Sequence, residues 1–187
     1  MLMSLRKICS ILLCLASTMI AADIPRPSPD FAINMNDGTQ IRLSQYQGKV
    51  VVCAFILTYC SHCQFTAQIL SRLQKEYGPQ GLQVVASAID PMSSMKVPDF
   101  IKQFQPGYPV GFNEHDAAIE YLQHPVMYRL MMPQLVFIDR KGIIRAQHAG
   151  DEETFFNQAT QEKNLRDAIE ALLKEGTPAA HKKRAAR

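Results

Sequence analysis

Val50-Val51-Val52-Cys53-Ala54-Phe55-Ile56-Leu57-Thr58-Tyr59-Cys60-Ser61-His62-Cys63 is the stretch that decides the fold. Its first eight residues carry no charge, as expected of a strand buried on both faces. Two thiols follow directly, separated by Ser61 and His62. Beyond them Phe65, Ile69, Leu73 and Tyr77 recur at intervals of four, and Gly78-Pro79 closes the segment as a helix stop. Cys60 is therefore expected at a helix N-terminus, where unpaired amides and the helix dipole favour thiolate over thiol. The thiolate is the form that attacks disulfides. Cys63, one turn further in, is placed to displace Cys60 from a mixed disulfide and close the ring.

Working outward, Leu82 to Ile89 is a second apolar strand. Strand, helix and strand in close succession read as a crossover unit with parallel strands. Upstream, Phe31–Asn34 and Thr39–Leu43 flank Asp37-Gly38, a hairpin-turn dipeptide, and Gly48-Lys49 leads into the buried strand. Downstream, Val97, Phe100, Ile101 and Phe104 predict a helix with Pro98 in its first turn. Tyr108–Phe112 reads as a short strand, and Asn113 as the cap of a helix running to Leu122, limited by Pro125. Met131-Met132-Pro133 precedes a strand Leu135–Asp139, a turn at Arg140-Lys141-Gly142 and a strand Ile143–Gln147. Leu165, Ala168, Ile169, Leu172 and Leu173 predict a closing amphipathic helix that stops at Gly176.

The 187 residues are enough for one core. Residues 1–22 are a different kind of segment: Arg6 and Lys7, an apolar run Ile8–Ile20, then Ala21-Ala22. That order is the layout of a secretory signal peptide, with an uncleaved membrane anchor as the alternative. Residues 23–30, with Pro25, Pro27 and Pro29, read as a proline-rich spacer, residues 31–176 as the domain, and residues 177–187 as a basic, solvated tail. Between Asp23 and Ala180 there are 14 basic and 17 acidic residues, so the formal +3 of the whole chain is no signature of nucleic-acid binding. Removal of the signal would leave Cys53, Cys60 and Cys63, too few for a disulfide scaffold. Cys53 falls within the buried strand and reads as a small core hydrophobe. In an oxidising compartment the remaining pair points to a redox-active disulfide.

The order of hairpin, buried strand, Cys-x-x-Cys helix, crossover, proline before an antiparallel hairpin, and closing helix resembles the thioredoxin superfamily. It is most similar to the exported TlpA/ResA-like thiol-disulfide oxidoreductases, over about Phe31 to Leu173. The resemblance implies an α/β thioredoxin fold, a central mixed sheet flanked by helices, with an N-terminal β-hairpin extension. It implies disulfide exchange with protein thiols and disulfides by an extracytoplasmic, monomeric enzyme that needs no cofactor and is recycled by a redox partner protein. It further implies that Pro133 is cis and faces the disulfide, with Tyr59 and the Met132 backbone available to substrate. Ser61 and His62, between the cysteines, would tune the centre, His62 by offering charge or a hydrogen bond to the Cys60 sulfur. Two departures stand out. Tyr59 occupies the place of the usual Trp, and Ala54 occupies the place, six residues before Cys60, where thioredoxins bury an acid.

Rival readings use the same residues. A zinc site would require a second ligand pair, whereas His115, His124, His148 and His181 are scattered, and Gln64 after Cys63 excludes a c-type haem motif. A thioredoxin-fold peroxidase would need Pro and Thr or Ser at set distances before the attacking cysteine, where this chain has Cys53 and Leu57. A copper metallochaperone would combine Cys60, Cys63 and a histidine, with Met127, Met131 and Met132 as neighbouring soft donors.

Overall fold

A computed structural model describes residues 23–175. The segments read as signal peptide and basic tail lie outside them. Among the described residues, eight strands form one mixed sheet in the order β1-β8-β7-β4-β5-β6-β2-β3. They are β1 Arg26–Pro27, β2 Ala32–Asn34, β3 Gln40–Arg42, β4 Val50–Ile56, β5 Leu82–Ala88, β6 Val110–Phe112, β7 Gln134–Ile138 and β8 Ile143–Ala149. The helices are α1 Ser61–Tyr77, α2 Ser93–Phe104, α3 His115–Leu122, α4 Glu153–Phe156 and α5 Gln161–Glu175.

The uncharged run behaves as its composition demands. Every residue of β4 is buried, and its side chains alternate between two cores. Val50, Val52, Ala54 and Ile56 face Cys63, Ala67, Leu70 and Leu73 of α1, Val97 and Phe100 of α2, and Leu165 and Ile169 of α5. Val51, Cys53 and Phe55 face Phe31, Ile33 and Leu43 of the N-terminal hairpin and Tyr121 and Leu122 of α3. At about 25 cal/mol per Å² of apolar surface removed from water, a large buried side chain such as Phe55 contributes roughly 2–3 kcal/mol.

Strand register fixes the working end of the sheet. β4 and β5 run parallel with Ile56 opposite Ala88, and β7 runs antiparallel to β4 with Gln134 opposite Phe55. The chain segments carrying Cys60, Asp90 and Pro133 therefore all leave the sheet at the same end. At the opposite end the β7–β8 turn is made at Gly142, whose φ of +78° suits glycine.

Three local expectations are corrected. Residues 23–30 are not merely a spacer, since Arg26 and Pro27 pair antiparallel with Ile144 and Ile143 at the sheet edge. An edge strand tolerates proline because no partner lies on its outer side. Arg26 is buried, and donates to the Tyr121 carbonyl at 2.8 Å. Pro98 sits well inside α2 rather than in its first turn. The Ser94 carbonyl, four residues earlier and deprived of a helical N–H, accepts instead from Asn36 Nδ2 at 2.5 Å. Asn113 does not cap α3, whose N-cap is Glu114. Its amide donates to the Ala32 carbonyl at 2.9 Å and its oxygen meets Ser87 Oγ at 2.8 Å, stitching β2 to β5 across β6.

Candidate functional site

Cys60 is the N-cap of α1, with extended backbone at φ −81° and ψ 119°. Its Sγ accepts the Cys63 backbone N–H at 3.4 Å, so the thiol takes the position that a serine or aspartate oxygen takes in an ordinary cap. Cys60 is half-buried, Cys63 fully buried, and both are free thiols. The Cys63 sulfur accepts from the Leu57 backbone N–H at 3.5 Å.

Burial and hydrogen bonding make the two thiols chemically unequal. The Cys63 thiol, donating to Cys60, is the largest influence on Cys60. Together with the Cys63 and His62 backbone amides and the His62 charge it outweighs partial burial and brings Cys60 down to about 6. Cys63 moves the opposite way, pushed far up because its thiol keeps its proton in a hydrogen bond donated to Cys60 and because it is buried. Cys53 is pushed up to about 12 by burial alone, which marks it as an inert core thiol. Of the three thiols, Cys60 alone is drawn down and partly accessible.

The other residues singled out from the sequence take distinct places. Ser61 and His62 are exposed on the first turn of α1, and the His62 carbonyl accepts from Thr66 Oγ1 at 2.8 Å. Tyr59 is 66% exposed. The Met132-Pro133 peptide is cis; Pro133 is buried, and Met132 is half-buried against the cluster that also holds Cys60 and Cys63. Gln134 Nε2 donates to the Met131 carbonyl at 2.6 Å and Gly150 N–H to the same oxygen at 3.2 Å, which fixes the turn ahead of β7. Ala54 is buried against apolar neighbours, so no acid stands at that position. Among the described residues, no group of three or more His, Cys, Asp and Glu side chains is placed to hold a metal.

The sequence reading missed Thr58, Asp90, Lys96 and Gln64. Asp90, with its side chain fully buried, accepts from the Thr58 backbone N–H and from Thr58 Oγ1, each at 3.0 Å, and meets Lys96 Nζ at 3.1 Å. Gln64 Nε2 donates to the Thr58 carbonyl at 2.8 Å. One signal was available: Asp90 directly follows an apolar strand parallel to β4, and the carboxyl ends of parallel strands are where sites form. A second buried contact, Gln161 Nε2 to Thr66 Oγ1 at 2.7 Å, ties the start of α5 to α1. A cavity of about 220 Å³ lies at the far end of the sheet, around Pro29, Leu43, Tyr46 and Gly142, and includes neither Cys60 nor Cys63.

A mixed sheet with a paired-cysteine helix N-terminus and a cis-proline at its working end defines a thioredoxin-fold protein. The chain belongs to the AhpC/TSA family, whose sequence pattern matches residues 24–147, and within the thioredoxin superfamily it is of the ResA/TlpA-like kind. It is 23% identical over 157 residues to the thiol-disulfide oxidoreductase ResA of Bacillus thuringiensis subsp. konkukian, covering 83% of this chain and 80% of the relative. Among solved structures it is similar to a protein from Chlorobium tepidum described as a thiol:disulfide interchange protein of the DsbE type, with TM-score 0.64, 25% identity, and 79% and 98% of the two chains covered. A secreted Mycobacterium tuberculosis disulfide oxidoreductase shares the fold at TM-score 0.56 and 16% identity, over 76% and 96% of the chains.

Proposed function

We propose that the protein is an exported thiol-disulfide oxidoreductase acting on protein substrates through Cys60 and Cys63. The observation that carries this is the inequality of the two thiols: a partly accessible Cys60 at about 6 beside a buried Cys63 pushed far up. In the reductive direction the Cys60 thiolate attacks one sulfur of a substrate disulfide, forming a mixed disulfide and releasing one substrate thiolate. Cys63 then gives up its proton and attacks the Cys60 sulfur, displacing the second substrate thiolate. Both electrons pass to the substrate, and the enzyme is left with a Cys60–Cys63 disulfide. The oxidative direction is the same sequence reversed.

Several features support the finer parts of this reading. Cys60 is partly accessible and follows the exposed Tyr59, an arrangement that suits a protein partner. Met132 and Pro133, at the same end of the sheet, are the backbone against which an extended substrate would add as a strand. The order of basic, apolar and small residues in 1–22 supports export, and no helix among the described residues is long and apolar enough to cross a membrane. Against a peroxidase, Cys53 and Leu57 supply neither proline nor hydroxyl where such an enzyme would need them, and Cys53 is sealed in the core.

The test is trapping. Cys63→Ser, which cannot resolve, should accumulate mixed disulfides with exported proteins through Cys60, and Cys60→Ser should accumulate none. Equal trapping by the two variants, or trapping through Cys63 alone, would overturn the assignment.

A further inference from the structure

The loop that presents Cys60 is held from below by two residues on distant segments. Asp90 follows β5 and Lys96 lies in the first turns of α2, 30 and 36 positions beyond Cys60. The Asp90 side chain is fully buried, and its two oxygens are occupied by the Thr58 N–H, the Thr58 hydroxyl and the Lys96 ammonium. Thr58 is thereby fixed through both backbone and side chain, and its carbonyl is fixed by Gln64. On either side of Thr58 lie the groups that address the sulfurs. The Leu57 N–H donates to Cys63 Sγ, the Leu57 carbonyl accepts the Cys60 N–H at 3.1 Å, and Tyr59 precedes Cys60. The Lys96 ammonium also stands 5.6 Å from the centroid of the Tyr59 ring, within cation–π range.

We infer that Asp90 and Lys96 are positioning residues for the Cys60–Cys63 pair, the carboxylate anchoring Thr58 and setting a negative charge within reach of Cys63, the ammonium balancing that charge and steadying Tyr59. This deepens the proposed function and rests on it. Asp90 is not placed as the proton acceptor of Cys63: both its oxygens are engaged elsewhere. It acts through its charge, which opposes a thiolate at Cys63, and through the loop. A buried carboxylate left without its cation is costly, which is why the two residues act as one unit. The carboxylate of the pair is an acidic group at this end of the sheet, where Ala54 supplies none.

Charge and scaffold roles are separable because they predict different signs. Asp90→Asn keeps an oxygen for the Thr58 N–H but removes the negative charge, so thiolate is favoured. Its redox equilibrium with glutathione should move several-fold toward the dithiol, and the Cys60 titration should move down. Lys96→Gln removes the positive charge and should shift both quantities several-fold the other way. The double variant, in which the two opposite charge effects cancel, should return to within about twofold of the parent. Lys96→Arg, which keeps the charge, should match the parent. A device that only braces the loop would move both single variants in the same direction and leave Lys96→Arg impaired. Same-direction shifts, or no shift in Lys96→Gln, would overturn the inference. Lys96 is partly exposed, so Lys96→Gln and Lys96→Arg decide the matter even if Asp90→Asn does not fold. The Cys60 titration is read on free thiols and needs no exchange activity. A parent protein that fails to exchange with glutathione would therefore refute the functional reading, and the titrations would still judge the inference.

Discussion

Removing the Cys63 thiol should change the pH at which Cys60 becomes reactive. With Cys60 at about 6, about 90% of it is thiolate at pH 7 and about 10% at pH 5, whereas an ordinary cysteine near 8.5 is about 3% thiolate at pH 7. Alkylation of Cys60 by iodoacetamide should thus be nearly flat above pH 7 and fall about tenfold for each unit below the midpoint. The largest cause of the depression is the hydrogen bond from the Cys63 thiol. A hydrogen bond to a charged group is worth roughly 1.5–3 kcal/mol. At 1.36 kcal/mol per unit that is one to two units, and solvent screening of a half-exposed sulfur argues for the lower end. Cys63→Ala should therefore raise the midpoint by about one unit. Cys63→Ser, which keeps a donor, should raise it less. The assay is thiolate absorbance against pH, with alkylation rates as an independent measure, on protein without residues 1–22, which carry Cys9 and Cys14, and in a Cys53→Ala background, so that only one thiol titrates in each Cys63 variant. A parent midpoint above about 8, or a midpoint unmoved in Cys63→Ala, would refute the account of how this site activates its nucleophile.

His62 offers charge to Cys60 as the smallest of the named causes, behind the Cys63 thiol and the two backbone amides. His62→Ala should accordingly raise the Cys60 midpoint by less than Cys63→Ala does and make the disulfide slightly less oxidising; a shift equal to or larger than that of Cys63→Ala would reverse this ranking. Gly150 packs so closely beneath the Met132 carbonyl and the Pro133 nitrogen that a Cβ there would overlap them. Gly150→Ala should cost about 1–3 kcal/mol, the usual penalty for overpacking, seen as a lower urea midpoint, and an unchanged midpoint would show that the turn ahead of β7 yields freely.

The chemistry was legible in the sequence because it is local. An uncharged run, a pair of thiols and a four-residue apolar spacing fix β4, the N-terminus of α1 and the place of both cysteines, since each depends only on chain geometry over one or two turns. The N-terminal hairpin around Gly38 and the β7–β8 hairpin around Gly142 were legible for the same reason. Tertiary structure decided what depends on residues far apart in the chain. Arg26 and Pro27 became an edge strand because β8 offered them an open side. Pro98 was accommodated inside α2, where Asn36 takes up the carbonyl it strands. Asn113 left its helix end for partners on β2 and β5. The site shows the same division. Spacing alone puts Cys63 one turn from Cys60, but only the packed sheet brings Asp90 beneath Thr58 across 32 positions and Lys96 beside Tyr59. A contact between distant segments leaves no periodicity in either of them; it exists only once parallel β4 and β5 have brought their carboxyl ends together.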